Sequence, residues 1–266
     1  MSHSLAVEDL KGAIVDIDGT VCRGDELISG ADKAIEVLWD QGISVYFVTN
    51  NASKSRQHYV QRLRQAGINA SRKSIISSGW LAVEFLKTRY GDANIYLVGE
   101  KPLKRALASK GLSVVSDPSN AQLLLVGLDT EFTYKKIADA QHVLESGGTY
   151  VATNTDATRP STEGRVPSTG SLLAAITKAG GRGPDYITGK PSNIAIETCI
   201  DTLSIEDPSK WCVIGDRLNT DIKFGRKAEM TTVLVSTGVH SKSDISERSV
   251  TPDHVFRSIS DLSDEL

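Results

Sequence analysis

Four stretches of the 266-residue chain place acids, hydroxyls or a cation where an apolar run breaks off. The clearest is Ala13-Ile14-Val15-Asp16-Ile17-Asp18-Gly19-Thr20. Ala13, Ile14, Val15 and Ile17 read as a strand covered on both faces, and open α/β sheets bind ligands just beyond the carboxyl ends of such strands. Asp16 and Asp18 point the same way on an extended chain. Gly19 lets the backbone turn at once, so one carboxylate can stay in a pocket while the other swings to its rim. The plain alternative is a strand-ending turn rich in Asp and Gly. In the second stretch, Ile43 to Val48 ends in Thr49-Asn50-Asn51, and Ser53 is placed to cap a helix carrying Tyr59, Val60, Leu63 and Ala66. Hydroxyl and amide groups beside free N–H groups at a helix start can bind an anion, although an Asn-rich loop with an N-cap looks the same.

The third stretch, Ile187-Thr188-Gly189-Lys190-Pro191-Ser192, leaves a lysine at a strand-to-helix edge before a helix over Asn193 to Leu203. It is not a phosphate-binding Walker A loop, because Pro184 stands five before Gly189 and Pro191 separates Lys190 from the serine. A solvated surface cation is the ordinary alternative. The fourth stretch, the buried run Trp211-Cys212-Val213-Ile214, ends in Gly215-Asp216-Arg217-Leu218-Asn219-Thr220-Asp221. Asp216 is placed like the first aspartate pair, whereas Asp221 opens a helix and could serve only the helix dipole.

These sites need a scaffold of alternating strands and helices. Ala31, Ala34, Ile35 and Leu38 follow a helical period, and Gly42 stands where a helix end favours a left-handed residue. Val21 to Gly30, between the first strand and that helix, is a polar connector too short for a domain and suited to a small flap. From Trp80 to Gly183 the alternation continues, which predicts a second α/β unit. The domain boundaries expected are 1–78 and 185–266 for one domain and 79–184 for the other, with Gly180-Gly181-Arg182-Gly183-Pro184 marking the return. Strands near Thr232 to Val235 and Val255 to Phe256 carry no comparable polar endings. Asn154 to Gly170 is an aperiodic stretch of about 17 residues running through Asp156, Arg159, Glu163 and Arg165. Its length marks either a binding loop or a surface excursion.

Composition narrows the function. Thirty basic and thirty-three acidic residues give a net charge of −3, which does not favour nucleic acid or a membrane surface as partner, so a small substrate is expected. No run approaches the roughly 18 apolar residues of a membrane span, and Met1 to Lys11 has no apolar signal segment, so a cytoplasmic protein is expected. Cys22, Cys199 and Cys212 have no paired spacing and read as reduced packing residues.

Taken together, the four strand-end stretches resemble the motifs of the haloacid dehalogenase superfamily, in order. Thr49-Asn50-Asn51, Gly189-Lys190-Pro191-Ser192 and Gly215-Asp216-Arg217-x-x-Thr220-Asp221 look like its NagD-like, class IIA phosphatases. Asp16 to Thr49 leaves no room for a cap, while Thr49 and Lys190 lie 141 positions apart, as a C2-type cap requires. The resemblance implies an α/β fold, a Rossmann-like parallel sheet core with an inserted α/β C2-type cap domain. It implies a Mg²⁺-dependent phosphatase acting on a small phosphorylated metabolite through an aspartyl phosphate. Asp16 would be the nucleophile, and Asp18 the general acid and base. The Asp16 carboxylate, the Asp18 backbone carbonyl and Asp216 would hold the metal. Thr49, Asn50 and Asn51 would bind the phosphoryl group, which Lys190 neutralises together with Asp16. Asp221 would orient Lys190 or a metal-bound water. Asn154, Asp156 and Arg159 on the cap would contact the substrate, although Pro167-Ser168-Thr169-Gly170 departs from the glycine-rich turn of many relatives. A homo-oligomer is compatible with the branch. Asp18 argues against a dehalogenase or a phosphonatase, which lack it, and a P-type ATPase would need membrane spans. A phosphotransferase or phosphomutase, or a metabolite-binding regulatory protein with vestigial activity, are the competing functions.

Overall fold

The computed structural model of the protein describes residues 9–161, 164–247 and 249–264, so Glu163 of the long cap stretch lies outside the described residues. The chain opens with β1 (Gly12–Val15), a small hairpin of β2 (Cys22–Arg23) and β3 (Glu26–Leu27), and α1 (Ala31–Asp40). It continues through β4 (Ser44–Thr49), α2 (Arg56–Gln65), β5 (Ile75–Ser77) and α3 (Ser78–Tyr90). Next come β6 (Asn94–Val98), α4 (Lys101–Ser109), β7 (Ser113–Val115), β8 (Leu123–Val126), α5 (Tyr134–Glu145) and β9 (Thr149–Ala152). The hairpin β10 (Thr158–Ser161) and β11 (Gly164–Pro167), α6 (Thr169–Gly180) and β12 (Tyr186–Ile187) follow. The chain closes with α7 (Asn193–Leu203), β13 (Trp211–Gly215), α8 (Lys223–Lys227), β14 (Thr231–Val235) and β15 (His254–Phe256).

Two parallel sheets result. The first has the order β15-β14-β13-β1-β4-β5 and the second β12-β9-β8-β6-β7. In the first, β1 is buried at every position because its side chains alternate between two helical layers. Ala13, Val15 and Ile17 pack with Ala34, Leu38 and Leu63 of α1 and α2, while Ile14 packs with Ile196 and Phe224 of α7 and α8. From β1 the chain builds outward to β4 and β5, then returns to build β13, β14 and β15 on the other side. Strand order therefore reverses between β1 and β13, and an open α/β sheet has its binding crevice at such a reversal.

The second sheet is also covered on both faces. Val98, Leu124 and Tyr150 pack with Val143 and Ile176 of α5 and α6, and Ile95, Leu125 and Val151 pack with Leu86 and Leu107 of α3 and α4. Helix α3 joins the two bodies, since Leu81 belongs to the first core and Ala82, Val83 and Leu86 to the second.

Several local expectations differ from the structure. The Asn154–Gly170 stretch contains the antiparallel β10–β11 hairpin. Its short strands escape a periodicity search because Arg, Pro, Gly and Thr carry no apolar alternation. Ser55, not Ser53, caps α2, accepting from the His58 N–H at 3.1 Å. The second sheet takes in Tyr186–Ile187, which pair with β9 and lie just past the boundary expected at 184. The Val21–Gly30 connector is the β2–β3 hairpin, Gly42 has φ 78° at the end of α1, and all three cysteines are buried and free.

Candidate active site

The ends of β1, β4, β12 and β13 converge on a buried ion cluster. Lys190 follows β12, is 2% exposed, and reaches back into the first sheet. Its Nζ donates to Asp16 Oδ1 at 2.8 Å, to Asp221 Oδ1 at 2.6 Å and to the Val48 carbonyl at 2.5 Å, which uses all three ammonium protons. Burial alone would pull the lysine down, but Asp16 and Asp221 outweigh it and hold its pKa above the ordinary value. Asp221 is fixed in turn by a 3.1 Å bond from the Arg217 N–H, formed within a single π-helical turn over Leu218–Ile222.

One oxygen each from Asp16, Asp216 and Asp221 lies within 4.8 Å of the other two. Three carboxylates and one ammonium leave a formal charge of −2. Burial, then the charge of Asp221, push Asp216 up to about 7. Burial likewise raises Asp16, with Lys190 opposing and the neighbouring aspartates reinforcing it. Asp216 Oδ2 accepts the Val239 N–H at 2.6 Å, but its Oδ1 is buried without a partner. An excess of two negative charges around an orphaned carboxylate oxygen is a site that a divalent cation fits. Gly19 is required beside it. Its φ is 107°, and a Cβ there would sit 2.6 Å from Asp216 Oδ2.

Asp18 takes no part in that cluster. Its carboxylate turns to Arg62 on α2, with Nη1 to Oδ1 at 2.8 Å, and Arg62 also donates to the Gly24 carbonyl on the flap hairpin. Thr49 is 2% exposed, and its Oγ1 accepts the Asn51 N–H at 3.1 Å. The Asn51 side chain turns away to hold Ser53 through N–H and hydroxyl contacts of 3.0 and 2.7 Å. Thr49, Asn50 and Asn51 nevertheless line one cleft with Asp16, Asp18 and Lys190.

On the cap side the expected residues divide. Asn154 is 2% exposed and lies outside the cleft lining; its Nδ2 donates to the Asn50 carbonyl at 2.7 Å and to Thr169 Oγ1 at 3.2 Å. Asp156 borders the cleft, but Oδ2 accepts Asn50 Nδ2 at 3.1 Å and Oδ1 stands 3.7 Å from Arg217 Nη1. Both residues tie the cap to the first sheet. Arg159 alone of the three borders the cleft without an acid partner among the described residues.

Sequence reasoning missed three supports. Arg62 follows His58 at four-residue spacing on α2, Lys54 stands just before the helix, and all three border the cleft; the His58/Arg62 spacing was the available signal. Arg217 bridges to the cap, with Nη2 donating to the Thr158 carbonyl at 3.1 Å. The ending of β14 was read as carrying no comparable polar groups, yet Thr237 Oγ1 donates to the Gly19 carbonyl at 2.6 Å and the Val239 N–H holds Asp216. Backbone donors leave little trace in side-chain identity, and only Gly238 hinted at a close approach.

Comparison with known proteins agrees with this geometry. The family model for haloacid dehalogenase-like hydrolases matches residues 13–113, and a HAD-hydrolase-like model matches residues 187–262. The acid sugar phosphatase of Staphylococcus saprophyticus is 31% identical over 98% of this chain and 99% of its own. This chain belongs to the haloacid dehalogenase-like hydrolases. Within these hydrolases it is NagD-like. The 4-nitrophenylphosphatase of Thermotoga maritima superposes with a TM-score of 0.90 at 32% identity, covering 97% of this chain and 98% of that one. NagD from E. coli K-12 gives a TM-score of 0.84 at 28% identity, covering 94% and 97%. The two matched ranges include the ends of β1, β4, β12 and β13. Among the described residues no helix is long and apolar enough to cross a membrane.

Proposed function

We propose that the cleft hydrolyses small phosphate monoesters with Asp16 as the nucleophile. Relatives named as acid sugar phosphatase and 4-nitrophenylphosphatase support the reaction class, and the Lys190 bridge between Asp16 and Asp221 is the observation that carries the assignment. Asp16 Oδ1 is held by Lys190, which aims the carboxylate and leaves Oδ2 without a hydrogen bond among the described residues. Oδ2 attacks phosphorus as the P–O bond to the leaving group breaks, giving an aspartyl phosphate. A water then attacks that phosphorus, releases inorganic phosphate and returns the carboxylate. Lys190 offsets charge on the phosphoryl oxygens throughout, in a site too buried for water to do so.

Asp18 delivers a proton to the leaving oxygen and accepts one from the attacking water. Its carboxylate starts on Arg62, so it must leave that partner and take up a proton from solvent before it can protonate the leaving group. Thr49 and the Asn50 N–H cradle the phosphoryl group, and Arg159 meets the remainder of the substrate. Asn154 and Asp156, expected to contact substrate, act instead as latches between cap and core. Mg²⁺ suits the site, held by Asp16, Asp216 and the Asp18 carbonyl, and when bound it supplies positive charge to the transferring phosphoryl oxygens. The substrate is a small phosphorylated metabolite of the sugar phosphate kind, and the setting is the cytoplasm.

Acid quench during turnover of p-nitrophenyl phosphate tests the covalent step. Peptide mass spectrometry should find phosphate on the peptide containing Asp16, and the Asp16→Asn variant should show neither that adduct nor turnover. Turnover by a clean Asp16→Asn preparation at more than a few per cent of the wild-type rate would reject the nucleophile.

A further inference from the structure

Beside the first turn of α3, a groove of about 410 Å³ runs between the start of α2 and α4. Lys54, Arg56 and Arg72 border it from the first domain and Arg105 from the cap, with no acidic residue in its lining. None of these four cations forms an ion pair among the described residues. The acids within electrostatic reach are already engaged, since Glu84 pairs with Lys110 at 2.8 Å and Glu100 accepts from Thr130 Oγ1 at 2.6 Å. The Arg56 guanidinium lies over the Trp80 ring with its carbon 5.0 Å from the centroid, and its Nε is buried without an acceptor. Trp80 and Leu103 give the groove an apolar floor between the cations.

Arg56 donates to the Arg72 carbonyl and rests on Trp80, but the like charges gathered around its unsatisfied Nε still repel one another. A multiply charged anion would relieve the repulsion and satisfy Arg56 Nε. Guanidinium groups suit phosphate oxygens through paired N–H donors, and an apolar floor beside them suits a planar ring. We propose that this groove is a second ligand site, which shares only Lys54 with the catalytic cleft, and that it takes a small metabolite bearing a di- or triphosphate. Because the two bodies both line the groove, its occupant touches core and cap together.

Fluorescence titration of the full chain in Mg²⁺ tests the site, with two hydrolysis-resistant probes, β,γ-imido-ATP and methylenediphosphonate. Both should give saturable quenching that is absent in Trp80→Phe, with the nucleotide the tighter of the two. The double variant Arg72→Glu/Arg105→Glu, altered at two exposed positions, should weaken both dissociation constants about tenfold or more, and added salt should weaken them further. Its hydrolysis of p-nitrophenyl phosphate should stay within about twofold of wild type, which shows that the fold and the catalytic cleft are intact. Quenching unchanged by the double variant would place the probes in the catalytic cleft and overturn the proposal. Failure of methylenediphosphonate to bind would overturn recognition through the phosphates.

Discussion

Replacing Lys190 by Met removes the charge while keeping most of the side-chain volume, and the structure sets the scale of the result. Nζ stands 2.8 Å from one carboxylate oxygen and 2.6 Å from another, and each contact is worth about 6 kcal/mol gross at an effective dielectric of about 20. Most of that is offset by the cost of burying the ions. The net loss on breaking a buried pair from one side is about 3–5 kcal/mol. At about 2–4 °C per kcal/mol for a chain of this size, melting should fall by about 6–20 °C. The loss has a pH signature. Lys190 titrates above its ordinary value in the folded protein, so its contribution is fully present below about pH 10 and is lost only as pH rises past that range. In the variant, Asp16 loses the cation that opposes its burial and holds a proton to higher pH. Variant stability should therefore drop more steeply than wild type between pH 5 and 8, which differential scanning calorimetry across that range would read. Loss of charge stabilisation at phosphorus should lower kcat/KM for p-nitrophenyl phosphate by about 10²- to 10³-fold or more. Melting within about 2 °C of wild type together with activity within about tenfold would refute both the ion cluster as a stability element and Lys190 as its electrostatic partner.

Asp18→Asn should cost about 10²- to 10⁴-fold on alkyl phosphates and less on p-nitrophenyl phosphate, whose leaving group needs little protonation; equal losses on both in steady-state assays would argue against Asp18 as the acid. Asp156→Ala should lower kcat/KM by about tenfold, in parallel on a sugar phosphate and on p-nitrophenyl phosphate, because it opens the bridge to Asn50 and Arg217. A loss confined to the sugar phosphate would restore Asp156 as a substrate contact. The metal-free protein should lose stability as pH rises from the ordinary carboxylate range through about 7, since Asp216 titrates high when folded, and Mg²⁺ should recover that stability. The apparent affinity for Mg²⁺ should accordingly fall about tenfold per pH unit below 7 in calorimetric titrations, and a flat profile from pH 5 to 8 would rule out proton competition at Asp216.

The core and its strand-end acids were legible because they obey a pattern that sequence carries well. A strand buried on both faces must be apolar throughout, so an aspartate at its end is conspicuous, and the parallel sheet then fixes the direction of Asp16 and Asp216 toward one crevice. The supports were less legible because their chemistry is relational. Arg62 is one of several cations on a polar helix until Asp18 swings toward it. Val239 contributes only a backbone N–H.

The cap residues show how one polar residue type can serve two roles. Asn154 and Asp156 are polar groups in a long non-repeating stretch, which is how a substrate contact and an interdomain latch both look in one dimension. What separates them is occupancy of their hydrogen-bonding groups. Asn50 is the shared partner, giving its carbonyl to Asn154 and to Ser78 Oγ, and its Nδ2 to Asp156 and to the Lys190 carbonyl. One residue directly after Thr49 therefore joins the end of β4, the cap and the backbone of the lysine that holds Asp16. Cap position and Asp16 position are mechanically linked through Asn50. A cap that opens must release Asn154 and Asp156 from Asn50 before it can leave Lys190 undisturbed. The Asn50 junction thus ties the cap to the end of β4, while Arg159, Lys54 and His58 border the cleft without joining that junction.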